Sequence, residues 1–357
     1  MALHFHALTV ADVSRETDDS VCIRFDVPPA LRPTFAFTPG QHLTLRVTVD
    51  GEEQRRSYSL CSAANGAEWS VGIRELPGGK VSTWANRALR AGDTVECMAP
   101  DGTFRAPIDT SHAKHYLLVA AGSGITPLLS IARSVLAGEP RSRVTLLYGN
   151  RKLSSVMFRE ALEDLKNRYL DRLALHYVFS REAQELAIYE GRLDAARLRL
   201  FLQTLIPASS VDEAYLCGPD AMLDELEGAL RDTGVPAAQI HVERFGTGVA
   251  VLDTPRASVA ASSTDARVTV MADGMTREFQ LPGTGVSILD AAREAGLDLP
   301  FSCKSGVCST CRARLKDGTV EMTRNFALMQ SDLDAGFILT CQAHPTSARV
   351  VVDFDDR

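Results

Sequence analysis

The chain has 357 residues, 45% of them hydrophobic and 23% charged, which is enough for two or three cores at roughly 100–200 residues each. No apolar run approaches the roughly 18 residues of a membrane span, and the N-terminus lacks the regions of a signal peptide, so a cytoplasmic protein without a membrane partner is expected. A formal charge of −7 without any basic stripe argues against a nucleic-acid partner.

From Leu3 to about Ile108 short alternating runs are broken by turn residues. Ser20–Val27, Gln41–Val49, Trp69–Arg74 and Thr94–Met98 predict strands of an antiparallel β-barrel. Turn signals at Pro39-Gly40, Asp50-Gly51, Pro77-Gly78-Gly79 and Asp101-Gly102 separate them. Arg56-Ser57-Tyr58-Ser59 is read as following a strand, and Gly79-Lys80-Val81-Ser82-Thr83 as opening a helix. An arginine and a helix N-terminus suit one pyrophosphate, Tyr58 offers a stacking face, and Ser59 offers a hydrogen bond to a ring nitrogen. Together these fragments suggest a flavin.

From His115 the rhythm becomes strand then helix. Strands are expected at Tyr116–Ala121, Val144–Tyr148, Leu173–Phe179, Ala214–Leu216 and Ile240–Val242, with helices from about Pro127, over Val156–Asn167 and over Ala221–Thr233. Such alternation predicts a parallel sheet with helices on its faces. Gly122-Ser123-Gly124-Ile125-Thr126-Pro127 follows the first strand, where glycines allow a pyrophosphate to approach the backbone at a helix N-terminus. Pro127 at the third motif position sets this turn apart from the G-x-G-x-x-G fingerprint. Ser180-Arg181 pairs a hydroxyl with a guanidinium, a chemistry suited to the 2′-phosphate of NADPH. Cys217-Gly218-Pro219 ends a strand at the edge where parallel sheets bind ligands.

The stretch from about Thr247 to Ala266, with Pro255 and Ala260-Ala261-Ser262-Ser263-Thr264, reads as a flexible linker. Beyond it a hairpin is expected around Asp273-Gly274, and a helix over Ser287–Ala295 with Ser287 as cap and Gly296 as stop. The expected division is 1–110, 111–246, a linker over 247–266, and a small α+β unit over 267–357. That last unit holds Cys303-x4-Cys308-x2-Cys311 and, after 29 intervening residues, Cys341. This is the plant-type [2Fe–2S] spacing: two bridged irons need four thiolates, and three cysteines share one loop instead of forming the separate knuckles of structural zinc. His344 reads as a surface residue and not as a Rieske ligand. Cys22, Cys61 and Cys97 read as small buried hydrophobes.

Taken in order, the R-x-Y-S, G-x-V-S-T, G-x-G-x-x-P and C-G-P motifs resemble the ferredoxin–NADP reductase superfamily, and the cysteine pattern after them looks like a fused plant-type ferredoxin. The resemblance implies FAD and a β-grasp [2Fe–2S] unit. It also implies that Arg56 contacts flavin phosphate, Tyr58 stacks on the isoalloxazine, Ser59 lies near its N5, Val71 to Ile73 line the pyrimidine edge, and Gly79, Val81, Ser82 and Thr83 hold the pyrophosphate. Gly122, Ser123, Gly124 and Thr126 with Cys217, Gly218 and Pro219 are implied to line the nicotinamide site, with Cys217 near the hydride-donating carbon and Phe245 approaching the flavin.

The order flavin, nicotinamide, ferredoxin is similar to reductase components of aerobic ring-activating oxygenases. Tyr148-Gly149-Asn150-Arg151, His241-Val242-Glu243-Arg244-Phe245 and the tail from Val350 to Asp355 resemble the phenylacetyl-CoA epoxidase branch, with which Ser180-Arg181 and NADPH agree. The steroid 9α-hydroxylase branch shares the architecture and is typically NADH-linked, so an NADH-dependent reductase of a steroid or other aromatic hydroxylase is the alternative. The partner implied is an oxygenase component. From Arg267 to Arg357 there are 10 basic and 12 acidic residues, too even a balance to predict strong steering by an acidic face.

Overall fold

A computed structural model of the chain describes residues 4–245, 265–283 and 285–356; the linker expected over 247–266 lies, but for its last two residues, outside them. The first 100 residues contain strands β1 (Phe5–Thr17), β2 (Ser20–Asp26), β3 (His42–Val49), β4 (Glu52–Ser59) and β5 (Trp69–Arg74), helix α1 (Lys80–Arg87) and strand β6 (Thr94–Met98). They form one antiparallel sheet in the order β4-β3-β6-β1-β2-β5. A bridge between Leu60 and Val71 brings the two ends of that order together, so the sheet curls into a barrel around Leu8, Ile23, Leu43, Leu45 and Ile73. Arg56, Ser57, Tyr58 and Ser59 belong to β4 itself and do not follow a strand as expected. The polar run Glu52-Glu53-Gln54-Arg55-Arg56 hides the strand from a hydrophobic-alternation reading, yet Asp50 and Gly51, both at positive φ, close a tight hairpin that sets β3 against β4.

The second unit contains β7 (His115–Ala121), α2 (Ile125–Gly138), β8 (Arg143–Asn150), α3 (Arg159–Arg168), β9 (Leu173–Phe179), α4 (Ala195–Thr204), β10 (Glu213–Gly218), α5 (Asp220–Asp232) and β11 (Ile240–Arg244). All five strands are parallel, in the order β11-β10-β7-β8-β9. The strands read as near-continuous apolar runs because helices cover both faces of the sheet. Chain progression reverses between β7 and β10, the switch point at whose carboxyl-end side sheets of this kind bind ligands. Helix α4 was missed; its Asp194 cap, which accepts from the Arg197 N–H at 2.9 Å, is the local signal that marks it.

The third unit contains β12 (Ala266–Ala272), β13 (Met275–Leu281), α6 (Ile288–Glu294), β14 (Arg312–Asp317), β15 (Val320–Met322), α7 (Gln330–Asp334), β16 (Phe337–Leu339), β17 (Ala343–Pro345) and β18 (Arg349–Asp353). A mixed sheet β13-β12-β18-β14-β16 packs with α6 around Val268, Ile288, Leu289, Leu339, Val350 and Val352. Ser287 caps α6 by accepting from the Asp290 N–H at 3.1 Å, and Gly296 at φ +83° ends it, as the sequence predicts. His344 departs from expectation: it is buried on β17, with ring nitrogens 3.1 Å from the Thr323 hydroxyl oxygen and 3.3 Å from the Val286 carbonyl oxygen. Cys61 and Cys97 are buried and Cys22 half-buried. No helix among the described residues is long and apolar enough to cross a membrane.

Candidate active site

One glycine brings the first two units together, and a second lets two segments of the second unit meet. A Cβ on Gly72, in the middle of β5, would lie 2.7 Å from the Thr126 γ-methyl and 2.7 Å from the Phe158 ring. Only a residue without a side chain lets the Val71–Ile73 backbone reach the turn after β7. Within that turn a Cβ on Gly124 would collide with the Cys217 carbonyl, so the segment Gly122, Ser123, Gly124 and Thr126 packs directly against Cys217, Gly218 and Pro219 at the end of β10. The Tyr148 hydroxyl donates to the Gly122 carbonyl oxygen at 2.9 Å, and the Thr126 hydroxyl donates to that of Ser123 at 3.0 Å, which fixes the turn. The pieces expected to hold a nicotinamide are thus in one place, beside Val71 and Ile73.

Cys217 is fully buried, and burial pushes its thiol well above the ordinary range. It presents a neutral, apolar group and is not poised as a thiolate nucleophile. Tyr58 is half-buried, and its phenol is likewise raised by burial, so a neutral ring is offered to a stacking partner. Ser59 is buried, whereas Arg56 is exposed and donates to the Arg55 carbonyl oxygen at 2.7 Å.

Gly79 is the N-cap of α1, and no side chain caps the first backbone N–H groups of that helix. Val81 is buried. The Ser82 hydroxyl is turned inward, donating to the Gly79 carbonyl oxygen at 3.1 Å and accepting from the Leu76 N–H at 3.1 Å, while Thr83 donates to Glu75 at 3.1 Å. Backbone, more than these hydroxyls, is what the turn can present to a phosphate. Ser180 and Arg181 are exposed after β9, two strands from β7 on the same edge of the sheet, where backbone bonds to Asn150 and Arg151 hold them.

The four cluster cysteines meet as two couples. Cys303 lies in hydrogen-bond reach of Cys308, and Cys311 in reach of Cys341. Among the described residues no three His, Cys, Asp or Glu side chains converge on a single metal position. Four thiols, three on one loop and the fourth at Cys341, are the ligand set that a [2Fe–2S] cluster would take, whereas structural zinc usually uses separate knuckles. Lys304, Gly306 and Ser309 all have positive φ, which winds the loop so that the Ser305 N–H donates to the Cys303 sulfur at 3.3 Å. Contact with Cys308 and the N–H groups of Ser305 and Val307 hold Cys303 well below the ordinary thiol range. The Gln342 side-chain amide donates to the Cys341 sulfur at 3.5 Å. Such donors also tune a cluster's potential.

A cavity of about 430 Å³ separates this loop from β4. Arg56, Ser57 and Ser59 line one wall, Cys303 and Cys308 another, and Phe245 closes a third side. Two residues there have no cavity role in the sequence reading. His42 is buried and, through burial, held below the ordinary histidine range; Glu243, which pairs in register with Cys217, has its carboxyl pushed up to about 8 by burial and by the nearby Cys303 charge. Strand periodicity places His42 on β3, whereas the strand read over Ile240–Val242 stops one residue short of Glu243, and neither pattern shows that a third unit encloses them.

Comparison with known proteins agrees with this arrangement. Residues 7–106 match the oxidoreductase FAD-binding domain, 118–227 the oxidoreductase NAD-binding domain, and 270–346 the 2Fe-2S iron-sulfur cluster binding domain. The chain is 46% identical over 352 residues to one of the subunits of the 1,2-phenylacetyl-CoA epoxidase of Escherichia coli, covering 98% of each. It is 36% identical over 366 residues to the 3-ketosteroid-9-alpha-monooxygenase ferredoxin reductase component of Mycobacterium tuberculosis, covering 99% of this chain and 97% of that one. Its fold is similar to that of phthalate dioxygenase reductase, with a TM-score of 0.59, 25% identity and 98% of each chain covered.

Proposed function

The chain belongs to the ferredoxin–NADP reductase-like reductase components of oxygenases, with FAD-binding, NAD-binding and [2Fe–2S] units in one polypeptide, and on that premise we propose that it carries electrons from NADPH to a phenylacetyl-CoA 1,2-epoxidase in aerobic phenylacetate degradation. It is an NAD(P)H-dependent oxidoreductase of the electron-transport type, with FAD, a [2Fe–2S] cluster and a pyridine nucleotide donor. The cofactors supply the chemistry: FAD accepts a hydride and releases electrons singly, and the cluster passes them on one at a time.

The protein's part is to hold and orient. In this reading Gly122, Ser123, Gly124 and Thr126 cradle the nicotinamide nucleotide against Gly218 and Pro219, and buried Cys217 limits how deeply the ring sits. Tyr58 covers the flavin, Ser59 bonds near its N5, the Val71–Ile73 backbone meets its pyrimidine edge, and Arg56 with Gly79, Val81, Ser82 and Thr83 receives its phosphates. Ser180 and Arg181 select the 2′-phosphate, and Cys303, Cys308, Cys311 and Cys341 hold the cluster. The functional units proposed are 1–110, 111–246 and 267–357, joined by a linker over 247–266. The cytoplasm is the proposed location, where the thiols the cluster requires stay reduced.

The observation that carries the reading is the full-length match to the epoxidase component, together with a cavity shared by Ser59 and Cys303. Reconstitution tests it. Purified chain, NADPH and the oxygenase component of phenylacetyl-CoA epoxidase should give epoxide in step with NADPH consumed. Product with the 3-ketosteroid 9α-monooxygenase oxygenase component and none with the epoxidase would move the assignment to the steroid branch.

A further inference from the structure

The flavin-binding and cluster-binding units have separate cores, yet one buried guanidinium joins them. Arg55 shares a face of β4 with Ser57 and Ser59, because alternate residues of a strand point the same way. Its side chain is 5% exposed. Nη2 donates to Asp298 Oδ1 at 2.6 Å, Nη1 to the Leu299 carbonyl oxygen at 3.2 Å, and Nε to Glu53 Oε1 on its own strand at 2.8 Å. The same group stacks on Phe301, 4.4 Å from the ring centroid. A planar fork satisfied at three nitrogens and on one face has little freedom left.

The contacts fall where they matter for the cluster. Asp298, Leu299 and Phe301 lead into Cys303, and Ser302, directly before that cysteine, accepts from the Ser57 hydroxyl at 2.9 Å. Ser59, four residues along β4 from Arg55 or about 14 Å at roughly 3.4 Å per residue, lines the cavity opposite Cys303. Asp298 is 67% exposed and also lies 3.7 Å from Arg46. One half of the ion pair is therefore anchored in protein and the other is open to solvent and to screening by salt. Within the cluster loop, Cys303, Lys304 and Val307 are the partly exposed residues, and all three line this same cavity.

We propose that Arg55 is a positioning residue that seats the cluster unit on the flavin unit, with Asp298 as the releasable half of the contact. Closed, the seat turns the Cys303 edge toward the flavin side. With both cofactors bound, each transfer would take one electron from the flavin and reduce one ferric iron to ferrous, with no bond made or broken. Open, the same edge is presented to the external acceptor. The inference rests on the flavin and cluster reading above but does not depend on which oxygenase is the acceptor.

Small-angle X-ray scattering of the cofactor-loaded full chain at low ionic strength tests it, alongside anaerobic stopped-flow absorbance without any oxygenase. Arg55→Met and Asp298→Asn should scatter as more extended molecules than the wild type. Both should keep flavin reduction by NADPH within about twofold of wild type while cluster bleaching slows about tenfold or more. Asp298→Asn carries the test alone if Arg55→Met loses its flavin. Wild-type scattering in both variants, or an extended shape with an unchanged rate of cluster bleaching, would overturn the proposal. Failure of the wild type to reduce its flavin with either nicotinamide would instead count against the functional reading, and the scattering would still report on the seat.

Discussion

Gly72 and Thr126 approach so closely that a Cβ on the glycine would sit 2.7 Å from the threonine γ-methyl, which makes one glycine the point where the flavin barrel meets the nicotinamide turn. Both flanking residues, Val71 and Ile73, are fully buried, so the strand has no slack to retreat. Gly72→Val should push the two units apart and cost about 1–3 kcal/mol in stability through overpacking. Hydride transfer from nicotinamide to flavin should slow about a hundredfold, in keeping with an ångström-scale misplacement. Thermal denaturation and stopped-flow flavin bleaching measure the two effects separately.

Cysteine removal should separate the two halves of the electron path. In Cys303→Ser or Cys341→Ser one couple loses a thiolate, and the cluster should be lost or severely depleted. Flavin reduction should continue, because the FAD-binding and NAD-binding domains, residues 7–106 and 118–227, lie outside the cluster unit. Iron and acid-labile sulfide analysis, with flavin absorbance as internal standard, checks this; a variant retaining full iron and sulfide would contradict the ligand assignment.

Donor choice is assigned to the exposed pair after β9. Arg181→Ala should raise the KM for NADPH about tenfold or more, as expected for the loss of a charge-assisted phosphate contact, and leave the NADH constants within about twofold. Equal loss with both donors would place Arg181 in general binding and not in selection of the 2′-phosphate.

Acid stability should follow two histidines of the parallel sheet. Burial, aided by the Arg143 charge, lowers His115, whose Nε2 lies 2.8 Å from the Thr145 hydroxyl oxygen. Burial and Lys166 lower His176, whose ring is stacked on Tyr189. The unfolded chain binds protons at these groups below about 6.5 while the folded chain resists them, so stability falls as pH drops through that value toward the lower folded values. Above about 6.5 neither state is protonated and the effect vanishes. Denaturant unfolding of wild type and His115→Asn between pH 5 and 8 should show a smaller acid slope in the variant.

Backbone-driven features were legible in the sequence because their causes are local. The cysteine spacing, the glycine turn after β7 and the Ser287 cap each depend on a few adjacent residues, and the structure forms all three. The strand carrying Arg56 to Ser59 was harder to see, since its first residues are charged and its buried Arg55 is held by residues 243 and 244 positions away. His42 goes unmarked in the sequence, and Glu243 shows only as part of a motif without a place in a cavity, for the same reason. Each ends up in the cavity only because the third unit closes over it, a relation between distant segments that no local pattern encodes.

Anaerobic stopped-flow absorbance of the flavin- and cluster-loaded chain, mixed in turn with NADPH and with NADH, tests the central claim most directly. The account predicts rapid flavin bleaching with NADPH, slower bleaching of the cluster behind it, and weaker response to NADH. Flavin bleaching with no cluster signal, or equal or faster reduction by NADH, would contradict it, the first by removing the cluster from the electron path and the second by removing the preference assigned to Ser180 and Arg181.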